Sequence, residues 1–278
     1  DLRMGKRNPF LTLLSLIPGP LCAQISQASY GLLNTFWIAR SQHPEVNIPV
    51  SIAYPVCFFI TAFAQGSNYG IRLYAKKEQD ECAQVVVDII RFTFIAGALL
   101  PAIMLPCCKP IMKWYNGTPE NQTDFFYYML PQFSCCLIVF VYFTICGLTQ
   151  ALGNSFVSAI CHISSALLNG LVFVPLLVNK VDSGAWGASI GNAISNFIPC
   201  FILFVCLFVG KFDVKPKMKM FCQRFNPNSF KALKMSLGQL IAQLAFCVPM
   251  LLVTKMIEKT GSNDSSYDVT LMAWNVVG

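Results

Sequence analysis

Charge is scarce in this sequence. Only 12% of its 278 residues are Asp, Glu, Lys or Arg, against about 25% in an ordinary soluble domain. Histidine is scarcer still, with His43 and His162 alone and in different surroundings. No pair of carboxylates falls inside an apolar run, and neither a G-x-x-x-x-G-K-[ST] phosphate loop nor a G-x-S-x-G nucleophile elbow is present. These absences leave no catalytic residue to name, no metal site and no cofactor, and an enzyme is not expected. The 13 cysteines are odd in number. Most of them (Cys22, Cys57, Cys146, Cys161, Cys200, Cys206, Cys247) sit in apolar runs, where a thiol behaves as a small hydrophobe. No disulfide framework and no zinc spacing emerges. The chain starts at Asp1, and no basic segment leads into a cleavable apolar stretch. The expectation is a fragment without a signal peptide.

What the sequence has instead is hydrophobic length: 55% of the residues are apolar, and they come in runs. A helix needs about 20 mostly apolar residues to cross the hydrocarbon core of a bilayer. Seven runs meet that length, at Phe10 to Ile38, Ile48 to Tyr69, Val86 to Pro106, Phe126 to Leu148, Phe156 to Leu177, Trp186 to Val209 and Leu233 to Met256. An eighth begins at Val269 and reaches only Gly278. The predicted fold class is an all-α, polytopic transmembrane helix bundle with seven complete spans and part of an eighth, embedded in membrane lipid.

Orientation follows from the basic residues, which concentrate in cytoplasmic connectors. One set of alternate connectors carries Arg3, Lys6, Arg7, Arg72, Lys76, Lys77, Lys211, Lys215, Lys217, Lys219, Arg224, Lys231 and Lys234; the other carries only Arg40, Lys109, Lys113, Lys180, Lys255 and Lys259. The N-terminus is therefore expected in the cytoplasm, in a plasma membrane or an endomembrane. This topology also accounts for the net charge of +7, so no nucleic-acid partner is expected. Three N-x-S/T acceptors, Asn116, Asn121 and Asn263, all fall in connectors placed outside, where a glycan can be added. A seven-helix receptor would need the opposite orientation.

Placing the first span on the seventh so that Leu14 falls on Leu233 also pairs Gly19 with Gly238, Gln24 with Gln243 and Thr35 with Thr254. Six helices return a chain to the same side, so such a repeat implies two parallel bundles. The predicted organisation is a six-helix bundle over 1–210, a basic cytoplasmic linker over 211–232, and the start of a second bundle over 233–278.

Polar side chains at bilayer depth cost free energy unless they face a partner or a wet cavity, so they are the candidate functional residues. In the first span Gln24, Gln27, Gly31 and Asn34 recur at i, i+3, i+7 and i+10, one face of a helix. The second span offers Gln65 and Asn68, the fifth His162, Ser165 and Asn169, the sixth Asn192, Ser195 and Asn196, and the seventh Gln243. The candidate transport cavity comprises Gln24, Gln27, Asn34, Gln65, Asn68, His162, Asn169, Asn192, Asn196 and Gln243. Asp88 and Arg91, three apart at the cytoplasmic entry of the third span, are placed to pair along the helix.

Several stretches resemble the multidrug and toxin extrusion (MATE) family. Ile17-Pro-Gly-Pro-Leu-Cys-Ala-Gln-Ile-Ser-Gln-Ala-Ser-Tyr-Gly-Leu-Leu-Asn-Thr-Phe-Trp-Ile-Ala-Arg40 is similar to the family's first span. Gln65-Gly-Ser-Asn-Tyr-Gly-Ile-Arg72 and Lys77-Glu-Gln-Asp-Glu-Cys-Ala83 resemble its second span and following loop. Gly147-Leu-Thr-Gln-Ala-Leu-Gly153, Leu168-Asn169 and Gly184-Ala-Trp-Gly-Ala-Ser-Ile-Gly191 resemble the fourth to sixth. The resemblance implies an antiporter of two bundles that exports small organic solutes or drugs, often cations, by alternating access. A proton or sodium gradient would drive it, with the ion undetermined by the sequence. The runner-up function is a flippase for a lipid-linked saccharide or amphiphile. One departure bears on coupling: the family's first-span Asp falls at Asn34 here, and an amide does not exchange a proton near neutral pH. The seventh span also lacks the central acidic residue of some eukaryotic members.

Overall fold

Runs of 20 apolar residues can satisfy their backbone hydrogen bonds in lipid only by closing them within the segment, which forces helix. The computed structural model describes residues 10, 14, 17–42, 46–53, 56–57, 60, 79–152, 154–212 and 214–261. Among them the regular elements are helical. The helices are α1 (Pro18–Ala39), α2 (Gln79–Trp114), α3 (Pro119–Ser134), α4 (Cys136–Ala151), α5 (Ser155–Leu168), α6 (Gly184–Val209) and α7 (Pro227–Gly261). Shorter helical pieces occur at residues 46–53.

These elements follow the predicted spans with three differences, the first being that α2 runs over Gln79–Trp114 where the sequence marks Val86 to Pro106. Four helices among the described residues, Asp80–Trp114, Ser155–Lys180, Gly184–Val209 and Pro227–Met256, are long and apolar enough to cross a membrane. The fourth predicted span is not one straight rod. It is the pair α3 and α4, bent by 45° at Cys135. There Ile138 N–H donates to Cys135 O, three residues back, so one turn tightens and the axis swings. The fifth span starts as α5 and continues as π-helical turns at Asn169–Phe173 and Leu176–Lys180. Most of the second span and all of the eighth run lie outside the described residues. Within 211–232 the chain forms a 3-10 turn at Met218–Cys222 and the first residues of α7.

Local chemistry sets the helix ends. Thr118 caps α3 by accepting from Asn121 N–H at 3.2 Å, with Pro119 in the first turn, where its missing N–H costs nothing. Gly210 ends α6 at φ 86°, a left-handed value that a side chain would strain, and Lys211 N–H then reaches back to Cys206 O at 3.0 Å.

The helices pack around an apolar core that includes Ile89, Phe125, Phe140 and Ile145, with polar side chains buried among them. α1 runs along α5, α2 along α3 and α4, and α6 against α3 and α4. Large apolar side chains face outward, among them Ile103, Phe156, Leu171 and Phe201. Asn34, Thr144, Ser165, Asn169 and Ser195 are buried. A soluble monomer rarely exposes apolar surface on that scale. Small residues allow the closest approaches. A Cβ on Gly170 would lie 2.3 Å from Leu33 Cδ1 of α1, and one on Gly191 of α6 would lie 2.9 Å from Val174 Cγ2.

Candidate functional site

The polar interior is built mainly by α1, α5 with its π-helical continuation, and α6. α1 presents Tyr30, Asn34 and Trp37 at i, i+4 and i+7, one stripe of the helix. Asn34, 1% exposed, donates from Nδ2 to Tyr128 Oη at 3.1 Å and accepts at Oδ1 from Asn169 Nδ2 at 3.4 Å. Trp37 Nε1 donates to Gly170 O at 2.7 Å. Three segments, the first span, α3 and the π-helical turn, are thus joined through one amide.

One turn along, the hydroxyls of Tyr30 and Ser165 are 2.6 Å apart, and both lie within reach of Asn196 Oδ1, at 3.2 and 3.1 Å. Asn196 Nδ2 donates back to Asn192 O at 2.9 Å. His162 is buried against aromatic rings: Tyr142 Oη lies 3.0 Å from its Nδ1, and Phe143 packs at 5.3 Å between ring centroids. α1 is pinned to α5 twice more, by Ser26 Oγ to His162 O at 2.9 Å and by Gly19 N–H to Ser155 Oγ at 2.8 Å.

The π-helical turn matters to this arrangement. Val174 N–H bonds to Asn169 O, five residues back. The widened turn puts Asn169 and the bare backbone of Gly170 against α1 at once. Insertions of this kind concentrate at functional sites. Not every polar atom is used: Asn169 Oδ1, Asn192 Oδ1 and the His162 ring nitrogen Nε2 are buried without a hydrogen-bond partner among the described residues. A buried carbonyl without a donor costs about 1–3 kcal/mol, which a donor from a water or a solute would offset.

Of the residues singled out from the sequence, Asn34, His162, Asn169, Asn192 and Asn196 are buried together in this region. Gln24 lies outside it, exposed on α1. Gln65, Asn68 and Asn263 lie outside the described residues, as do the side chains of Gln27 and Gln243. Asn116 is exposed in the turn between α2 and α3, at φ 56°, and Asn121 sits half-buried in the first turn of α3. The sequence reading missed Tyr30, Tyr128 and Tyr142, whose hydroxyls complete the network. The i+4 spacing to Asn34 was a signal for Tyr30 alone, and Tyr128 and Tyr142 had none. All 13 cysteines are free thiols, and among the described residues no three His, Cys, Asp or Glu side chains cluster as metal ligands.

Apolar helices of membrane-spanning length, packed around a polar interior, define an integral, multi-pass membrane protein. The MatE family model matches residues 21–176, more than half of the chain, and the chain belongs to that family. It is 25% identical over 174 residues to the multidrug export protein MepA of Staphylococcus haemolyticus, covering 61% of this chain and 38% of that protein. To the multidrug export protein MepA of Staphylococcus aureus (strain NCTC 8325 / PS 47) it is 24% identical over 211 residues, covering 70% of this chain and 46% of that protein. The chain thus spans less than half the length of these relatives. Its fold is similar to the inward-facing conformation of a multidrug resistance MATE family transporter of the MOP superfamily. The TM-score is 0.80 at 19% identity, covering 89% of this chain and 57% of that one.

Proposed function

We propose that the chain forms the first six-helix bundle (1–210), the cytoplasmic connector (211–232) and the start of the second bundle (233–278) of a secondary active transporter. The protein would be an antiporter, exporting small organic solutes or drugs by alternating access of its two bundles. The single observation that carries this reading is the buried network from Asn34 through Asn169 and from Tyr30 to Asn196, with acceptors at Asn169 and Asn192 left open. A polar centre inside an apolar shell is needed to pass a hydrophilic solute across lipid and is a cost to a protein that only anchors itself. Open amide oxygens suit the N–H donors of an organic cation. Family membership and the multidrug export function named for the staphylococcal relatives support the same reading.

The coupling ion is a proton or sodium. Asn34 is neutral, so in this half of the protein it supplies no exchangeable proton. The N-terminus faces the cytoplasm, and Asn116, Asn121 and Asn263 face outside and accept glycans.

The test is reconstitution of the full-length protein in liposomes, with accumulation of an organic cation such as ethidium measured while a proton or a sodium gradient is imposed. Accumulation that collapses when the gradient is dissipated supports the antiporter. Gradient-independent movement of a fluorescent lipid-linked saccharide, with no ethidium transport, would replace it with a flippase.

A further inference from the structure

Asp88 is wholly buried, 0% exposed, yet lies near the end of α2 where the chain is most basic. Four donors surround it. Oδ1 accepts from Gln84 Nε2 at 3.0 Å and Arg91 Nη1 at 3.2 Å, both on its own helix. Oδ2 accepts from the backbone N–H of Asn226 at 2.9 Å and the Ser229 hydroxyl at 2.7 Å. The second pair belongs to the connector and the first turn of α7, about 140 residues further along, as the separations of 138 and 141 record.

The neighbouring side chains of α2 grip the same segment. Arg91 Nη1 donates to Gln223 O at 2.9 Å while its guanidinium lies 3.9 Å from the Phe225 ring centroid. Gln84 Nε2 approaches Met220 O at 3.4 Å, and Glu81 accepts from Asn228 Nδ2 at 2.5 Å. Residues 81, 84, 88 and 91 are one stripe of α2, so four consecutive contacts bind residues 220–229 along a line. A carboxylate at the first turn of α7 also complements the positive end of that helix and its unpaired N–H groups. Beyond the grip the two helices part. An apolar groove of about 630 Å³ opens between Phe92, Ala96 and Leu99 of α2 and Phe230, Leu233 and Leu237 of α7.

We infer that Asp88 is a positioning residue: its carboxylate latches the connector and the first turn of α7 to the first bundle, so that these residues travel with that bundle. The attachment itself needs no transport activity. Its consequence rests on the two-bundle reading: any displacement of α7 against the first bundle is taken up within α7 beyond Ser229, over the open groove, and not in the connector. A charged carboxylate serves better than an amide here because all four partners are donors, and hydrogen bonds to an ionised acceptor are the stronger kind.

Hydrogen–deuterium exchange of the full-length protein reads the latch directly. In the parent, amides at 223–231 should exchange slowly, as those of α2 do. Asp88→Asn should speed exchange in that segment at least about tenfold, the loss expected for hydrogen bonds to a charged group. The α5 peptide should be unchanged, because α5 makes none of these contacts. Ser229→Ala should give a smaller increase in the same segment, and it decides the matter if Asp88→Asn does not accumulate. A parent segment that exchanges as fast as an unstructured peptide, or one indifferent to both substitutions, overturns the inference. Because the readout uses neither solute nor gradient, failure of the transport reading would leave it standing.

Discussion

Asn34 is the residue on which the polar interior turns, since its amide gives to Tyr128 and takes from Asn169. Asn34→Leu keeps much of the volume but leaves Tyr128 Oη and Asn169 Nδ2 without this partner, so solute transport should fall severalfold with its pH profile unchanged. A donor or acceptor stripped of its partner in a buried site costs about 1–3 kcal/mol. Asn34→Asp puts a titratable group where the parent has an amide, and transport should gain a pH dependence. Initial rates across a pH series for the three proteins check this, and identical rates and profiles would make Asn34 a bystander. At this scale the amides were legible in the sequence, because an amide at bilayer depth stands out against its neighbours. Tyr128 and Tyr142 were not, because tyrosine is common at membrane interfaces and only a fold tells which hydroxyl points inward. Gln24 shows the opposite limit. Its spacing puts it on a polar stripe, but α1 is wide enough for that stripe to include a surface position.

At the element scale the order of the described helices was readable, because each needs an apolar run of hydrocarbon thickness, but their full extent was not: α2 runs to 36 residues where Val86 to Pro106 marks 21. The bend at Cys135 and the π-helical turns were not, since both depend on tertiary packing that periodicity does not encode. The glycines link the two levels. Gly187-x-x-x-Gly191 permits close approach in principle, and here it admits the π-helical stretch, with Val174 N 3.2 Å from where a Gly191 Cβ would stand. Gly191→Ala must displace backbone, so it should lower stability by about 1–3 kcal/mol, the usual cost of overpacking. Gly238→Ala is the control. No described atom lies within 4 Å of its added Cβ, and alanine in a helix interior is favoured over glycine by about 0.5–1 kcal/mol. Thermal unfolding of this chain in detergent should therefore show a lowered midpoint for Gly191→Ala and no loss for Gly238→Ala. Equal behaviour of the two would mean that the contact with Val174 is not tight in solution.

The whole molecule offers a test of sidedness that does not start from charge. α2 has 36 residues, which at 1.5 Å each make it about 54 Å long, well beyond the roughly 30 Å hydrocarbon core. Lys217 lies 3.6 Å from Asp80 at one end of that rod, and Asn116 follows Trp114 at the other. If α2 spans the bilayer, the two positions must open to opposite sides. The charge distribution then predicts position 217 in the cytoplasm and position 116 outside. In the full-length protein with Cys222 replaced by Ser, a Lys217→Cys thiol should resist a membrane-impermeant maleimide in intact cells and react after permeabilisation. In a eukaryotic host, a glycan-dependent mobility shift should be lost on Asn116→Gln if Asn116 carries the glycan, with Asn121→Gln resolving the neighbouring acceptor. Labelling of position 217 from outside together with a glycan at Asn116 would put both ends of α2 on one side. A helix of that length cannot do this while crossing lipid, and the membrane-spanning assignment of α2 would fall with it.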